Sequence, residues 1–260
     1  MTYIIVSIYL LGQGKLIYAN GDIYNGGFLH DRMNGHGEFL MKDGGVFEGE
    51  IRDDVKHGTG SFKHRDGSRY EGGFADNLEN GTGTYCYENG DSYVGQWVAG
   101  LRDGLGVLTY SDGSLYNGLF KNDMKHGRGL FKGSDKSVYD GYWKENRKSG
   151  RGIMLYANGN VYKGEWSDDK RNGEGTLTTT RKSYRVGWRN NKKHGQGYLR
   201  IEKNIEDDET DVKLRTSMSD NRIFNEKYDE YNFTATWNEG KLTHIEKLKQ
   251  PKNFAKTYDL

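Results

Sequence analysis

The stretch Tyr116-Asn117-Gly118-Leu119-Phe120, followed after a polar turn by His126-Gly127-Arg128-Gly129, decides the fold. Its aromatic, Gly and aromatic positions share one parity, as do Tyr93, Gly95 and Trp97, or Gly81, Gly83, Tyr85 and Tyr87 elsewhere in the chain. A period of two is the periodicity of a strand, because successive side chains point to opposite faces. The stretch therefore reads as two strands joined by a turn.

Working outward, the same unit returns every 23 residues, at Tyr24-Gly26, Phe47-Gly49, Tyr70-Gly72, Tyr93-Gly95, Tyr139-Gly141 and Tyr162-Gly164. The Gly-x-Gly element keeps the same period from Gly12/Gly14 to Gly173/Gly175. One residue is then lost, so that Tyr184, Val186 and Trp188 continue the pattern, Gly195/Gly197 follow it, and Gly187 falls out of register. A fixed period of this length identifies a repeat architecture before any single element is assigned. The dipeptides Asn20-Gly21, Asp43-Gly44, Asp66-Gly67, Asn89-Gly90, Asp112-Gly113 and Asn158-Gly159 predict tight hairpins between units, and a longer turn over Lys121 to His126 is expected within a unit. Asp135-Lys136 and Arg181-Lys182 lack the glycine, which predicts a looser turn at the first and a shorter one at the second.

The fold class is thus all-β, an elongated antiparallel meander of 23-residue hairpins covering residues 12–201. About sixteen strands at ~4.8 Å would span roughly 75 to 80 Å. Residues 1–11 form an atypical apolar start, 202–230 a charged loop containing Glu206-Asp207-Asp208-Glu209, and 231–260 a closing strand through Phe233, Ala235 and Trp237. Leu242 to Leu260 is expected to form a short helix over the sheet edge.

Composition narrows the function. With 38 basic against 37 acidic residues, the overall field does not favour nucleic acid. The single Cys86 excludes an internal disulfide and a cysteine-rich zinc site, and suits a reducing, cytoplasmic setting. The apolar start is too short to span a bilayer and lacks the marks of a signal peptide. No Gly-x-Ser-x-Gly elbow, P-loop or His-Glu-x-x-His is present, and no Gly-x-Gly pair is completed as a dinucleotide fingerprint. Neither catalysis nor a cofactor nor a metal is expected. His57, His126 and His194 share one slot with Asn34, Asn80 and Asn172, residues suited to local backbone bonding, and are read as turn residues.

The unit resembles the MORN repeat, whose pattern is Tyr-x-Gly-x-Trp, a polar turn, His-Gly-x-Gly, and an Asn-Gly or Asp-Gly turn. That resemblance implies a groove-like β scaffold on cytoskeletal, ciliary or membrane-associated structures. It extends to the regulatory ends of phosphatidylinositol-phosphate kinases, junctophilins and a SET-domain methyltransferase. A regulatory fragment of a larger kinase or methyltransferase is therefore one reading.

Two other readings rest on the residues. The first takes Tyr70, Phe74, Tyr93, Trp97, Tyr116, Phe120, Tyr139, Trp143, Tyr162, Trp166, Tyr184 and Trp188 as one aromatic face. A single sheet has no second layer to cover such a face, so the rings would grip a partner protein segment in a groove unless they pack on one another. The second takes Lys144, Arg147, Lys148 and Arg151, with Arg189, Lys192 and Lys193, as a basic edge for anionic phospholipid, against which Asp168 and Asp169 count. Open sheet ends also allow a homodimer.

Overall fold

The computed structural model describes residues 4–5, 11–202 and 230–248, and every regular element among them is a β-strand. Contacts divide the chain into one unit of residues 1–134 and 143–146 and a second of 135–142 and 147–260. The apolar stretch from residues 6 to 10, most of the charged loop and the tail beyond residue 248 lie outside the described residues.

In the first unit the strands are β1 (Ile4–Ile5), β2 (Leu11–Ile17), β3 (Ile23–Leu29), β4 (Arg32–Leu40), β5 (Val46–Arg52) and β6 (Val55–Lys63). They continue as β7 (Arg69–Ala75), β8 (Leu78–Cys86), β9 (Ser92–Val98), β10 (Leu101–Thr109), β11 (Leu115–Lys121) and β12 (Met124–Lys132). Each runs antiparallel to the next, which is a meander. Next in the chain is β13 (Val138–Lys144). The second unit continues with β14 (Arg147–Leu155), β15 (Val161–Ser167), β16 (Lys170–Thr178), β17 (Lys182–Arg189), β18 (Lys192–Glu202), β19 (Glu230–Asn238) and β20 (Lys241–Lys247), again paired in chain order. Phe233, Ala235 and Trp237 lie on β19 and are buried. The helix expected from Leu242 is not formed up to Lys247, because those residues pair with β19 and give its polar groups ladder partners.

The turns are the reverse of the expected assignment. The tight turn lies within the repeat, where Asn122 (φ 48°) and Asp123 (φ 65°) alone join β11 to β12. Both residues are left-handed, the geometry that matches hairpin twist and that Asn and Asp tolerate. The Asn-Gly joins are longer. Between β8 and β9, Gly90 N–H donates to the Tyr87 carbonyl (3.1 Å) and Asp91 N–H to Asn89 Oδ1 (3.0 Å), and Gly90 carries the positive φ of 87°. His57, His126 and His194 are strand residues on β6, β12 and β18, not turn residues. Pairing passes from Phe120 opposite Lys125 to Gly118 opposite Gly129, so His126 sits in a bulge that bends the strand.

Lys136 holds, at φ 70°, the left-handed place that Gly21, Gly44, Gly67, Gly90, Gly113 and Gly159 fill in their joins, while Ser137 N–H still donates to Asp135 Oδ1 (2.9 Å). A lysine there bears a cost of about 1 kcal/mol that glycine would not. Lys136→Gly should raise stability by about 0.5–1 kcal/mol in urea unfolding.

A second inter-repeat device joins the tight turns. Asn146 N–H donates to the Lys125 carbonyl (3.1 Å) while its Oδ1 accepts from Lys125 N–H (2.9 Å). The same two-bond clamp holds Asp54 to Met33, Asn77 to Lys56, Asp123 to Arg102, Asp169 to Lys148 and Asn191 to Arg171. Asx residues at this slot thus supply both the left-handed turn and a side-chain acceptor for the preceding repeat.

Candidate functional site

The aromatic rows form the core, and this corrects their assignment as a groove. Tyr70, Tyr93, Tyr116, Tyr139 and Tyr162 are wholly buried, and Phe74, Trp97, Phe120, Trp143, Trp166 and Trp188 nearly so. Each tyrosine lies flat across a glycine pair; a Cβ on Gly72 or Gly83 would meet the Tyr70 ring. Its hydroxyl then donates to a carbonyl three residues on, as from Tyr70 to Gly73 (2.9 Å) and Tyr116 to Leu119 (2.8 Å). Edge-on contacts link ring to ring: Tyr70 meets Phe74 at 5.1 Å in its own repeat and Trp97 at 5.3 Å in the next, and Tyr116 likewise meets Phe120 and Trp143. Each such pair adds about 0.5–1.5 kcal/mol beyond its buried area. Rings in this ladder need no second layer, because the sheet's own glycines form the space they fill.

Tyr184 is the exception. Val186 occupies the slot where glycine would open that space, so Tyr184 is only half-buried and Lys193 Nζ sits 3.5 Å from its ring centre.

Five of the seven basic residues expected to form an edge have partners within the chain, and three of those five keep largely exposed side chains. Lys148 stands over Tyr139 and Trp166 at 5.4 and 5.3 Å, part of a row in which Lys125 and Arg171 also cap rings. Burial, with the charges of Arg171 and Lys182, pushes the Lys193 ammonium down to about 8. Arg147 pairs with Asp168 (3.3 Å), while Arg189 and Lys192 share Glu239 (4.0 and 3.5 Å). Lys144 and Arg151 are exposed. Among the described residues, no three His, Cys, Asp or Glu side chains converge as metal ligands.

Burial also governs the tyrosines' titration. It pushes the hydroxyls of Tyr24, Tyr70 and Tyr93 up to about 12, from 10.0 when exposed, and raises those of Tyr116, Tyr139 and Tyr162 further. Between pH 10 and 12 the unfolded chain has released these protons and the folded chain holds them. Stability therefore falls with rising pH through that window. The share of the tyrosinate absorbance that these six residues contribute should appear cooperatively with loss of the β signal in circular dichroism, not before it.

What remains available is the opposite face, where the first unit is concave. A cavity of ≈ 820 Å³ lies over the glycine floor of Gly49, Gly60, Gly72, Gly83 and Gly95, walled by His36, Glu48, Glu50, Thr59, Ser61, Glu71, Thr82, Thr84 and Val94. Register sets its order. One transverse row of directly opposed residues runs Glu38, Glu48, Ser61, Glu71, Thr84, Val94 and Val107. Beside it His36 opposes Glu50, Thr82 opposes Gln96, and Leu105 opposes Leu119. Glu50 is anchored by Thr59, whose hydroxyl and N–H both donate to it (2.9 and 3.2 Å) and hold its carboxyl below the usual range. Val94, Leu105 and Leu119 are 54%, 61% and 39% exposed. In the sequence the signal for this face was present but faint: Val94 stands in the slot after the tyrosine that is otherwise polar at Asn25, Glu48, Glu71 and Asn117.

The family model for the MORN repeat matches nine consecutive segments, 11–23, 24–46, 47–69, 70–92, 93–115, 116–138, 139–161, 162–181 and 187–201. The chain belongs to the MORN-repeat family. Its matched segments break between 181 and 187, around Tyr184, where the tyrosine ring loses its glycine seat. No curated protein matches the chain significantly. Among solved structures, the MORN array is similar to the TCP domain of Drosophila melanogaster SAS-4 in complex with a proline-rich motif of Ana2, at 16% identity and a TM-score of 0.36, covering 65% of this chain and 84% of that one. It is also similar to the TCP10 domain of Danio rerio CPAP in complex with a STIL peptide, at 10% identity and a TM-score of 0.35, covering 91% of this chain and 100% of that one.

Proposed function

We propose that this MORN array is a non-catalytic scaffold whose open sheet face receives a segment of a partner protein, in a cytoskeletal or ciliary assembly of the kind associated with the repeat. The observation that carries it is the division of labour between the faces. All the large rings but Tyr184 in the notional groove are spent on the core, yet the other face is concave and leaves Val94, Leu105 and Leu119 in water. Aliphatic side chains grouped on an otherwise polar sheet face mark a contact surface.

Capture from lysate with a Val94→Asp and Leu105→Asp double variant tests the reading, with folding checked by circular dichroism. Partners held by the wild type should be lost. A second variant reversing the charges of Arg147 and Lys192 should keep them. The opposite pattern, with partners or anionic vesicles lost only on charge reversal, would move binding to the basic turns.

A further inference from the structure

From the arrangement of charge and apolar surface across the concave face, we infer the chemistry of the occupant: an extended segment carrying a basic cluster followed, about six residues on, by aliphatic side chains. This rests on the scaffold reading and specifies it. Three features of the first unit carry it.

The first is charge. Glu38 lies directly opposite Glu48, and Glu71 follows two strands on in the same row, with Ser61 between. Like charges placed directly across a ladder repel. Lys63 and Arg69 lie on the same face two residues from Ser61 and Glu71, but among the described residues no salt bridge within 4.0 Å joins Glu48 or Glu71 to a cation, and neither has a hydrogen-bonded cap like that of Glu50. A cationic segment would relieve the repulsion, and an anionic one would increase it.

The second is the change of character along the row. From Val94 onward the acids stop, and Val107, Leu105 and Leu119 take over on β9 to β11. Within the cavity the charged lining is Glu48, Glu50 and Glu71 with His36, while Lys63 and Arg69 stand next along β6 and β7 outside it; beyond it, over β9 to β11, the face is aliphatic. The third is the floor. Glycines at Gly49, Gly60, Gly72 and Gly83 leave a trough between these walls in which a chain can lie close to the sheet.

Spacing converts this into a length. Glu48 on β5 and Val94 on β9 are four strand steps apart, about 19 Å at ~4.8 Å per strand, which an extended chain covers in about six residues. A basic residue gripping Glu48 would thus place side chains about six to nine residues away on the Val94, Leu105 and Leu119 patch, and one gripping Glu71 would place them about three to six residues away.

The probe is a fluorescent ten-residue peptide with Lys-Arg-Lys, a four-residue Ser/Gly spacer and Leu-Val-Leu, titrated against the full chain by anisotropy at low salt. Controls carry the same residues with charges and aliphatics interleaved, or Glu-Asp-Glu in place of the bases. The ordered basic peptide should bind at least tenfold more tightly than either control, with affinity falling as salt is raised. Glu48→Gln with Glu71→Gln, and separately Leu105→Ser with Leu119→Ser, should each weaken it at least tenfold while the circular dichroism is unchanged. Equal binding of the interleaved peptide, or indifference to both double variants, overturns the inference while leaving the scaffold reading to the capture experiment. Failure of all three peptides, with natural partners still captured through Val94 and Leu105, overturns this occupant alone. A concentration-dependent dimer abolished by the same variants would overturn it too, because the occupant would then be a second copy.

Discussion

Gly83→Ala should destabilise the first unit by about 3 kcal/mol or more, at the upper end of what overpacking a core costs. A Cβ on Gly83 would lie within van der Waals radius of the Tyr70 hydroxyl, Cε2 and Cζ. Tyr70 cannot swing away: it is wholly buried, its hydroxyl is tied to the Gly73 carbonyl at 2.9 Å, and its edges meet Phe74 and Trp97. The control sits two residues away. Gly81, at φ +81°, has nothing within 4 Å of where its Cβ would stand, so Gly81→Ala bears only backbone strain of about 1 kcal/mol. The two glycines of one Gly-x-Gly thus serve different ends, space for a ring and a left-handed backbone. Urea unfolding of the two variants reads the difference, and equal losses would show that Tyr70 is not seated as described.

Trp143→Ala should cost about 3–5 kcal/mol, in the range for removing a buried aromatic side chain. The indole is nearly buried, meets Tyr116 edge-on at 5.4 Å, donates through Nε1–H to the Gly129 carbonyl at 3.1 Å, and lies 5.0 Å beneath the Lys125 ammonium. Truncation takes the indole donor from that carbonyl and one of four rings from beneath the Lys125 ammonium, as well as opening a cavity. Neighbouring repeats in an array stabilise one another pairwise, so the loss should appear as faster hydrogen exchange in β11 and β12 before global unfolding. Its sequence neighbour Tyr142 is half-exposed, on the opposite parity, and its contribution to the Tyr139 hydroxyl bond is a backbone carbonyl. Tyr142→Ala should change stability by no more than about 0.5 kcal/mol. A substitution at Trp97, Trp143 or Trp166 is consequently a test of folding and not of binding.

The reversed turns show where reading the chain by local rules stops. Asn-Gly is the strongest short hairpin signal, yet Asn89-Gly90 closes the longer loop, and Asn122-Asp123 the tight one. Asn and Asp can take two left-handed positions in succession at modest cost. The clamp from each turn to the repeat before it, such as Asp123 to Arg102, adds bonds that no local pattern reports. Lys148 and Lys193 are similar cases: as letters they are two more basic residues, but in the fold they cap aromatic rings.

Sequence alone determined the strands, their 23-residue period, the antiparallel hairpin unit and the two-faced alternation, because side-chain parity and repeat spacing are local and cumulative. Tertiary structure alone decided which face is free. Whether a tyrosine ring is an exposed grip or a core residue depends on the neighbouring strand, where the paired glycine makes room for it. Whether Glu48, Glu71 and Val94 form one row depends on a register that no single repeat contains. Aromatic residues are therefore legible as strand formers from their spacing, but their burial follows from cross-strand packing, and the open face is what that packing leaves behind.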